Sequence, residues 1–307
     1  MSEYRFALGT AAATFVLLVI GGLVHATGSS LACPDWPLCY GQFFPPMVGG
    51  VLFEHGHRLA ALTVVVLTGV LAVRVFRSRG RSGSRALATL ALLLLSVQAV
   101  LGGLTVLYRL PLLVSTAHLA TSMAFFSTVI CLAARLRPSS LPRLERRPRA
   151  LVGLCVLLVY VQIVLGGFVR HTGAAMACSA RIPLCDGVFW PTGGPGQLNM
   201  LHRYLGLALA ALVLLAAWRP AREALRNGHD FRATLALAAP LLVLVQIGLG
   251  LLTLATSVSI PVVTVHLATG ALLLADLLAL FLSLGSPALD RDESSHHRVA
   301  GLAPAAG

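Results

Sequence analysis

The chain has very little charge for its length and no lysine. Of its 307 residues, 11% are charged and 57% are hydrophobic, and the mean hydropathy of +0.85 lies outside the range of soluble globular domains. All 23 basic residues are arginine. These shortages exclude an ordinary soluble fold and indicate a polytopic membrane protein.

Long, predominantly apolar runs recur along the chain. About 20 apolar residues in a helix cross a hydrocarbon core of about 30 Å. Short connections between the runs leave no room for a soluble domain. Eight runs are long enough, at approximately 6–25, 53–76, 86–107, 111–134, 150–170, 200–218, 232–255 and 261–284.

The net charge of +12 does not indicate a nucleic-acid partner, because the arginines are distributed by loop. Three alternate connections are strongly basic, at 77–85, 135–149 and 219–232. The positive-inside rule places these loops and both termini in the cytoplasm. The connections at 26–52 and 171–199 then lie on the outer side.

The chain contains an internal repeat with an offset of 145 to 148 residues. "GGLVHATGSSLACPDWPLC" (21–39) matches "GGFVRHTGAAMACSARIPLC" (166–185), and "STAHLAT" matches "VTVHLAT". We therefore predict an all-α membrane protein of two pseudo-symmetric four-helix bundles, related by an axis along the membrane normal. The first half is 1–137 and the second half is 148–286, with a cytoplasmic linker at 138–147 and a cytoplasmic tail at 287–307.

Each half carries two histidines near the outer ends of its second and fourth helices: His57 and His118, then His202 and His266. A single histidine in such a helix is usually hydrogen-bonded to a neighbouring helix. The duplication instead favours axial ligation of a haem iron by each pair, since two imidazoles facing inward in a four-helix bundle suit that role.

Residue 54 distinguishes the halves. Glu54 lies one helical turn before His57, whereas the equivalent residue before His202 is Asn199. A solvated carboxylate at the start of the helix is the alternative interpretation of Glu54. Arg58 and Arg203, which follow the two histidines, either pair with haem propionates or anchor the helices at the membrane interface.

Four of the six cysteines lie in the outer loops, as the pairs Cys33 with Cys39 and Cys178 with Cys185. An oxidising compartment would let each pair close as a disulfide. Such disulfides either stiffen the loops or exchange electrons with a thiol partner. Cys131 and Cys155 lie inside apolar runs and are predicted to be buried packing residues.

Taken together, these motifs resemble those of the haem A synthases of bacteria and mitochondria, over nearly the whole chain. That resemblance implies oxidation of the C8 methyl group of haem O to a formyl group. It assigns a permanent haem b to His202 and His266, the haem O substrate to His57 and His118, and the essential carboxylate to Glu54. The motifs are "GGLVHATGSSLACPDWPLC", "FEHGHR", "TAHLAT", "GGFVRHTGAAMAC", "LHRYLG" and "VHLATG".

The resemblance also implies a bacterial inner-membrane location with the haem sites towards the outer face. Expected partners are the farnesyltransferase that makes haem O, oxidase assembly factors and membrane lipid, and a homo-oligomer is a further option. The electron acceptor is open between a quinone and a thiol-redox protein. Two other classes are weighed against this one: a di-haem b electron-transfer protein, which would not need the difference between Glu54 and Asn199, and a transporter, whose polar residues would lie near the midplane.

Overall fold

The computed structural model describes residues 2–78, 82–138, 146–178, 183–227 and 231–284. Within these ranges the chain forms eight long α-helices and no β-strand, only two isolated bridges in the outer loops. All eight helices are long and apolar enough to cross a membrane. They are α1 Glu3–Ala26, α2 Gly49–Arg77, α3 Ser82–Leu107, α4 Leu112–Arg135, α5 Arg146–His171, α6 Gly194–Asn227, α7 Phe231–Ala255 and α8 Ile260–Ser283.

Each of the eight predicted apolar runs corresponds to one helix; the runs 111–134 and 261–284 are displaced by one residue, and the other six lie within their helices. The largest extension is in α6, which includes six residues before the predicted run 200–218 and continues through Pro220. Hydropathy marks only the lipid-facing length, whereas backbone hydrogen bonding carries the helix into its polar ends. The predicted tail 287–307 and most of the predicted linker lie outside the described residues.

The helices of each half form a closed ring. In the first half α1 packs on α2, α2 on α3, α3 on α4 and α4 on α1, and α5 to α8 repeat this order. Consequently α2 and α4 stand at opposite corners of one bundle, and α6 and α8 at opposite corners of the other. This is the predicted arrangement of two four-helix bundles.

The two bundles share one apolar core. Helices α1 and α8, α4 and α5, and α4 and α8 pack across the boundary between the halves. Leu267 of α8 lies where Gly22 of α1 leaves room, and Leu119 of α4 lies in the same way against Gly167 of α5. A Cβ atom at either glycine would overlap the leucine, so these glycines permit the close approach of the halves.

The backbone repeats itself at the outer turns. Arg109 and Leu110 between α3 and α4 both have positive φ, and so do Ser257 and Val258 between α7 and α8. The Leu110 N–H donates to the Thr105 carbonyl just as the Val258 N–H donates to the Thr253 carbonyl. The duplication therefore extends to strained backbone conformations, which side-chain composition alone does not impose.

Candidate haem-binding site

Each of the four repeated histidines lies against a glycine of the preceding helix. The Cε1 atoms of His57, His118 and His202 lie 3.0, 3.1 and 3.0 Å from where a Cβ would stand on the facing glycine, and that of His266 lies 3.4 Å away. A methyl group would crowd the first three rings and would touch the His266 ring at ordinary contact distance. We call the space at each glycine a slot for the imidazole. The facing glycines are Gly21, Gly102, Gly166 and Gly250, in the same order.

The ring order of the helices places the two histidines of each half on opposite corners of a bundle. His57 lies on α2 and His118 on α4, while His202 lies on α6 and His266 on α8. The members of each pair are close enough for their rings to interact electrostatically. Two imidazoles from opposite corners of one bundle are a donor set that a low-spin haem iron accepts.

Hydrogen bonding at the ring nitrogens is incomplete. The Nδ1 atoms of His57, His118 and His266 are buried and have no hydrogen-bond partner among the described residues. The Nε2 atoms of His118 and His266 lie 3.3 Å from the side-chain nitrogens of Gln98 and Gln246. Buried imidazoles with unused nitrogens fit a site that is completed by a metal-bearing group.

Glu54 is a buried residue of α2, with 4% of its surface exposed. One carboxylate oxygen accepts the Cys33 backbone N–H at 2.8 Å, and the other accepts Arg58 at 2.6 Å. Since α2 begins at Gly49, Glu54 lies beyond the first helical turn. The alternative of a solvated carboxylate at the helix start is therefore wrong.

Asn199 occupies the equivalent place in the second half with the opposite hydrogen-bond polarity. Its amide nitrogen donates to the carbonyls of Ala174 and Ala175, both at 2.8 Å. Both residues therefore fasten an outer loop to a helix. Glu54 does so as an acceptor with negative charge, and Asn199 as a neutral donor.

The arginines that follow His57 and His202 bind the same loops. Arg58 donates to Glu54 and to the carbonyls of Asp35 and Leu38, and Arg203 donates to the Cys178 carbonyl at 3.2 Å. Pairing of either arginine with a haem propionate stays a prediction. In the first loop, backbone N–H groups of Gly41 and then Tyr40 hold the pKa of the Asp35 carboxyl below its ordinary value, since they stabilise its charged form.

Both predicted cysteine pairs are disulfide-bonded in the structure, Cys33 with Cys39 and Cys178 with Cys185. His55, which is 3% exposed, packs beside the first disulfide and hydrogen-bonds the Phe43 carbonyl at 2.8 Å. It therefore belongs to the loop contact and not to the histidine slots. The second disulfide packs on the fully buried Met200 instead. Cys131 and Cys155 are free.

Several neighbours of the site were not predicted from the sequence. The four slot glycines and the glutamines are visible in the repeat, as "GGLV" with "GGFV" and "VQAVLGGL" with "VQIGLGLL", but only the structure gives them a partner. His25 and His171, which the repeat does not preserve, meet edge to face between the halves with ring centroids 4.9 Å apart. Asp276 is buried on α8, and one of its oxygens has no hydrogen-bond partner in the part of the chain that the structure describes.

Histidine pairs packed on glycines and repeated in both halves of an eight-helix membrane protein are a donor set of the kind that haem iron accepts. A family model described as "Cytochrome oxidase assembly protein" matches residues 4–49 and 48–278. The chain belongs to this family.

Curated relatives support the same conclusion. A protein of Bacillus pumilus named "Heme A synthase" is 33% identical over 67% of this chain and 69% of its own length. Proteins of the same name from Geobacillus thermodenitrificans and Staphylococcus saprophyticus are 32% and 30% identical, over 71% and 90% of this chain and 71% and 93% of their own. The likeness thus spans both halves and the segments that carry the four histidines.

Proposed function

We propose that this chain is a haem A synthase, a membrane-bound oxidoreductase that converts the C8 methyl group of haem O to a formyl group. Its family and its relatives' names support this function, and none of them supports a di-haem electron-transfer protein. The observation that carries the proposal is a difference between the halves. Both have slotted histidine pairs, and among the described residues only the first half has a buried carboxylate one helical turn from a histidine of its pair.

The second half is the proposed binding site of a permanent haem b, with His202 and His266 as its ligands. The first half is the proposed substrate site, where haem O binds between His57 and His118. Bound iron porphyrin supplies the redox chemistry. The protein's own part is to fix the rings, exclude water and handle protons at the methyl group being oxidised.

Glu54 is the proposed catalytic carboxylate of the first half. Oxidation of a methyl group releases protons as well as electrons, and a buried carboxylate next to the reacting edge can accept a proton or stabilise a developing positive charge. Arg58 holds one oxygen of Glu54 and the Cys33 N–H holds the other, so the carboxylate has a fixed orientation.

The chain is a multi-pass membrane protein, and we propose a bacterial inner membrane with both termini cytoplasmic and the haem sites towards the outer face. The basic loops support this orientation. The proposed partners are the haem O synthase that supplies substrate, oxidase assembly factors, and a quinone or thiol-redox protein as electron acceptor.

The test is production of the chain in a host that makes haem O and lacks its own haem A synthase. Extracted haems, separated by chromatography, should include haem A when the chain is present. His57→Leu should leave only haem O, while Val16→Leu, a change on the exposed face of α1, should match the unaltered chain. Absence of haem A from a host with a properly inserted, haem-loaded chain would refute the proposal.

A further inference from the structure

Each outer loop carries two exposed aromatic side chains directly after the turn that its disulfide closes. The repeat aligns Phe43 and Phe44 of the first loop with Phe189 and Trp190 of the second, and a proline follows each pair. All four side chains are exposed, and Phe44 is 82% exposed. We call these two pairs the aromatic tips. Large apolar side chains that are clustered and exposed at equivalent places indicate an interaction surface.

A helix side chain holds each aromatic tip by the same backbone group. The Phe43 carbonyl lies 2.8 Å from a ring nitrogen of His55 on α2, and the Phe189 carbonyl accepts the Tyr204 hydroxyl of α6 at 2.9 Å. The repeat does not align His55 with Tyr204. The two halves therefore share the placement of the tip and differ in the residue that holds it.

These two contacts set the depth of the tips in the membrane. His55 and Tyr204 lie within their helices, so the tips stand beside α2 and α6 and not beyond the helix ends. At 1.5 Å per residue, the rise along α2 from Arg74 at its basic inner end to His55 is about 29 Å, close to a hydrocarbon thickness of about 30 Å. The rise from Arg219 to Tyr204 is about 22 Å, and the tyrosine hydroxyl reaches on to the outer loop. Both tips thus lie near the boundary of the hydrocarbon core that is opposite the basic loops.

The chemistry of the tips suits lipid. No ionisable side chain occurs in residues 41–53 or 187–201, which include the tips and the starts of α2 and α6. Aromatic side chains, tryptophan above all, are enriched at the boundary between hydrocarbon and water, where a flat apolar ring lies among headgroups and upper acyl chains.

The position of the tips favours lipid over a single protein partner. The boundary between the bundles is formed by α1, α4, α5 and α8, whereas the tips stand beside α2 and α6. The tips therefore lie on separate sides of the molecule. Lipid surrounds both sides, but one partner protein bound at one side would meet only one tip.

We propose that the two aromatic tips bind the lipid interface of the leaflet opposite the basic loops and hold the disulfide-closed turns against α2 and α6. The occupant of both surfaces is phospholipid. This anchoring needs no bound haem, so it stands or falls separately from the proposed function.

The test replaces Phe44 or Trp190, one at a time, with photoreactive p-benzoylphenylalanine in the full chain, irradiates the cell membranes and identifies the adducts by mass spectrometry. Val16 on the exposed face of α1 is the lipid-facing control, and Glu223 on the exposed basic end of α6 is the aqueous control. Phospholipid adducts should form at Phe44, Trp190 and Val16 and should be about tenfold rarer at Glu223, because only the first three side chains contact lipid.

A second measurement uses the turn itself, in vesicles of phosphatidylcholine. The Gln42 N–H donates to the Cys39 carbonyl at 3.0 Å and closes the turn before the first tip. Because Phe44 is mostly free of protein contact, a change there acts on the turn through what covers the ring from outside. Phe44→Asp should speed hydrogen exchange of the Gln42 amide severalfold, and Phe44→Leu should leave it unchanged.

Two results would overturn the proposal. One is capture of a second copy of the chain or of another protein, in place of phospholipid, at Phe44 and Trp190 in membranes where Val16 captures phospholipid. The other is an equal exchange rate of the Gln42 amide in the aspartate and leucine variants of Phe44.

Discussion

The two outer loops are fastened to their bundles at equivalent places by groups of opposite character. Glu54 accepts a backbone N–H from the first loop, whereas Asn199 donates to backbone carbonyls of the second. Each contact pairs backbone groups of a loop with a buried side chain of a helix. Only Glu54 places a carboxylate beside a histidine slot. The same helix position is therefore a candidate catalytic site in the first half and a structural contact in the second half.

The largest expected effect comes from removing that charge. Glu54→Gln should lower haem A production by about 100-fold or more, because a positioned acid or base typically contributes about 10²- to 10⁴-fold. The amide keeps the shape of the side chain and can still accept the Cys33 N–H. Haem extraction should show accumulated haem O or a hydroxylated intermediate, with haem b content unchanged.

Asn199→Ala is the matched change in the second half. It should cost about 1–3 kcal/mol of stability by removing both hydrogen bonds from the Asn199 side chain to the second loop, and conversion of haem O should continue in the protein that remains folded. Equal loss of haem A from both variants would remove the distinction between the halves.

Glycine-to-alanine changes in the histidine slots allow the two halves to be compared directly, because each change adds one methyl group beside one histidine. Gly166→Ala should crowd the His202 ring and lower the haem b content, at a cost of about 1–3 kcal/mol for overpacking. Gly21→Ala crowds His57 in the same way and should lower haem A yield with haem b intact. Absorbance spectra and extracted pigments measure both. A loss of haem b from Gly21→Ala as large as from Gly166→Ala would contradict the assignment of the halves.

Removal of either disulfide should lower the folding stability by a similar amount, but the two removals should differ in their effect on haem A yield. The closed loops span 6 and 7 residues, so loop-closure entropy predicts a loss of about 2 kcal/mol for either Cys39→Ser or Cys185→Ser. The first loop also holds Glu54 through the Cys33 N–H, so only Cys39→Ser should reduce haem A yield strongly.

The four outer cysteines should resist alkylation in the unaltered protein when no reductant is present, because they form disulfides. Mass spectrometry measures this, and alkylated outer cysteines would contradict the outer location.

The smallest effect concerns acid pH. The lowered pKa of Asp35 means that its ionised form stabilises the first loop; this contribution is present above the ordinary pKa of 3.8 and is lost as pH falls through the lowered value. The second loop has no acidic residue between its cysteines. Above the ordinary pKa, the Tyr40 and Gly41 amides should therefore be better protected from hydrogen exchange in the unaltered protein than in Asp35→Asn. In strong acid this difference should disappear. Identical pH profiles for the two proteins would exclude this role.

Much of the fold was predictable, because long apolar segments identify membrane helices and the internal repeat indicates two similar bundles. The helix ends were less predictable, as α6 shows, since polar turns continue a helix without a hydropathy signal. The four histidines and Glu54 could be selected from one sequence because the repeat separates what the halves share from what they do not.

The contacts around those residues were not predictable. The partners of Gln98 and Gln246 could not be read from the sequence, because each amide reaches a histidine only when α3 packs on α4 and α7 packs on α8. The same holds for His55, whose side chain turns to the first disulfide, and for Arg58, whose guanidinium binds Glu54. Contacts between side chains of different helices depend on how the helices pack, and the pattern of residues along one sequence does not show this packing.

The division of labour between the halves is tested most directly by removing one ligand pair at a time and measuring bound haem b in the purified protein. The account predicts that the double variant His57→Leu with His118→Leu retains the low-spin haem b spectrum and makes no haem A. The double variant His202→Leu with His266→Leu should lose that spectrum. Retention of haem b by the second variant, or its loss from the first, would contradict the assignment of cofactor and substrate to the two bundles.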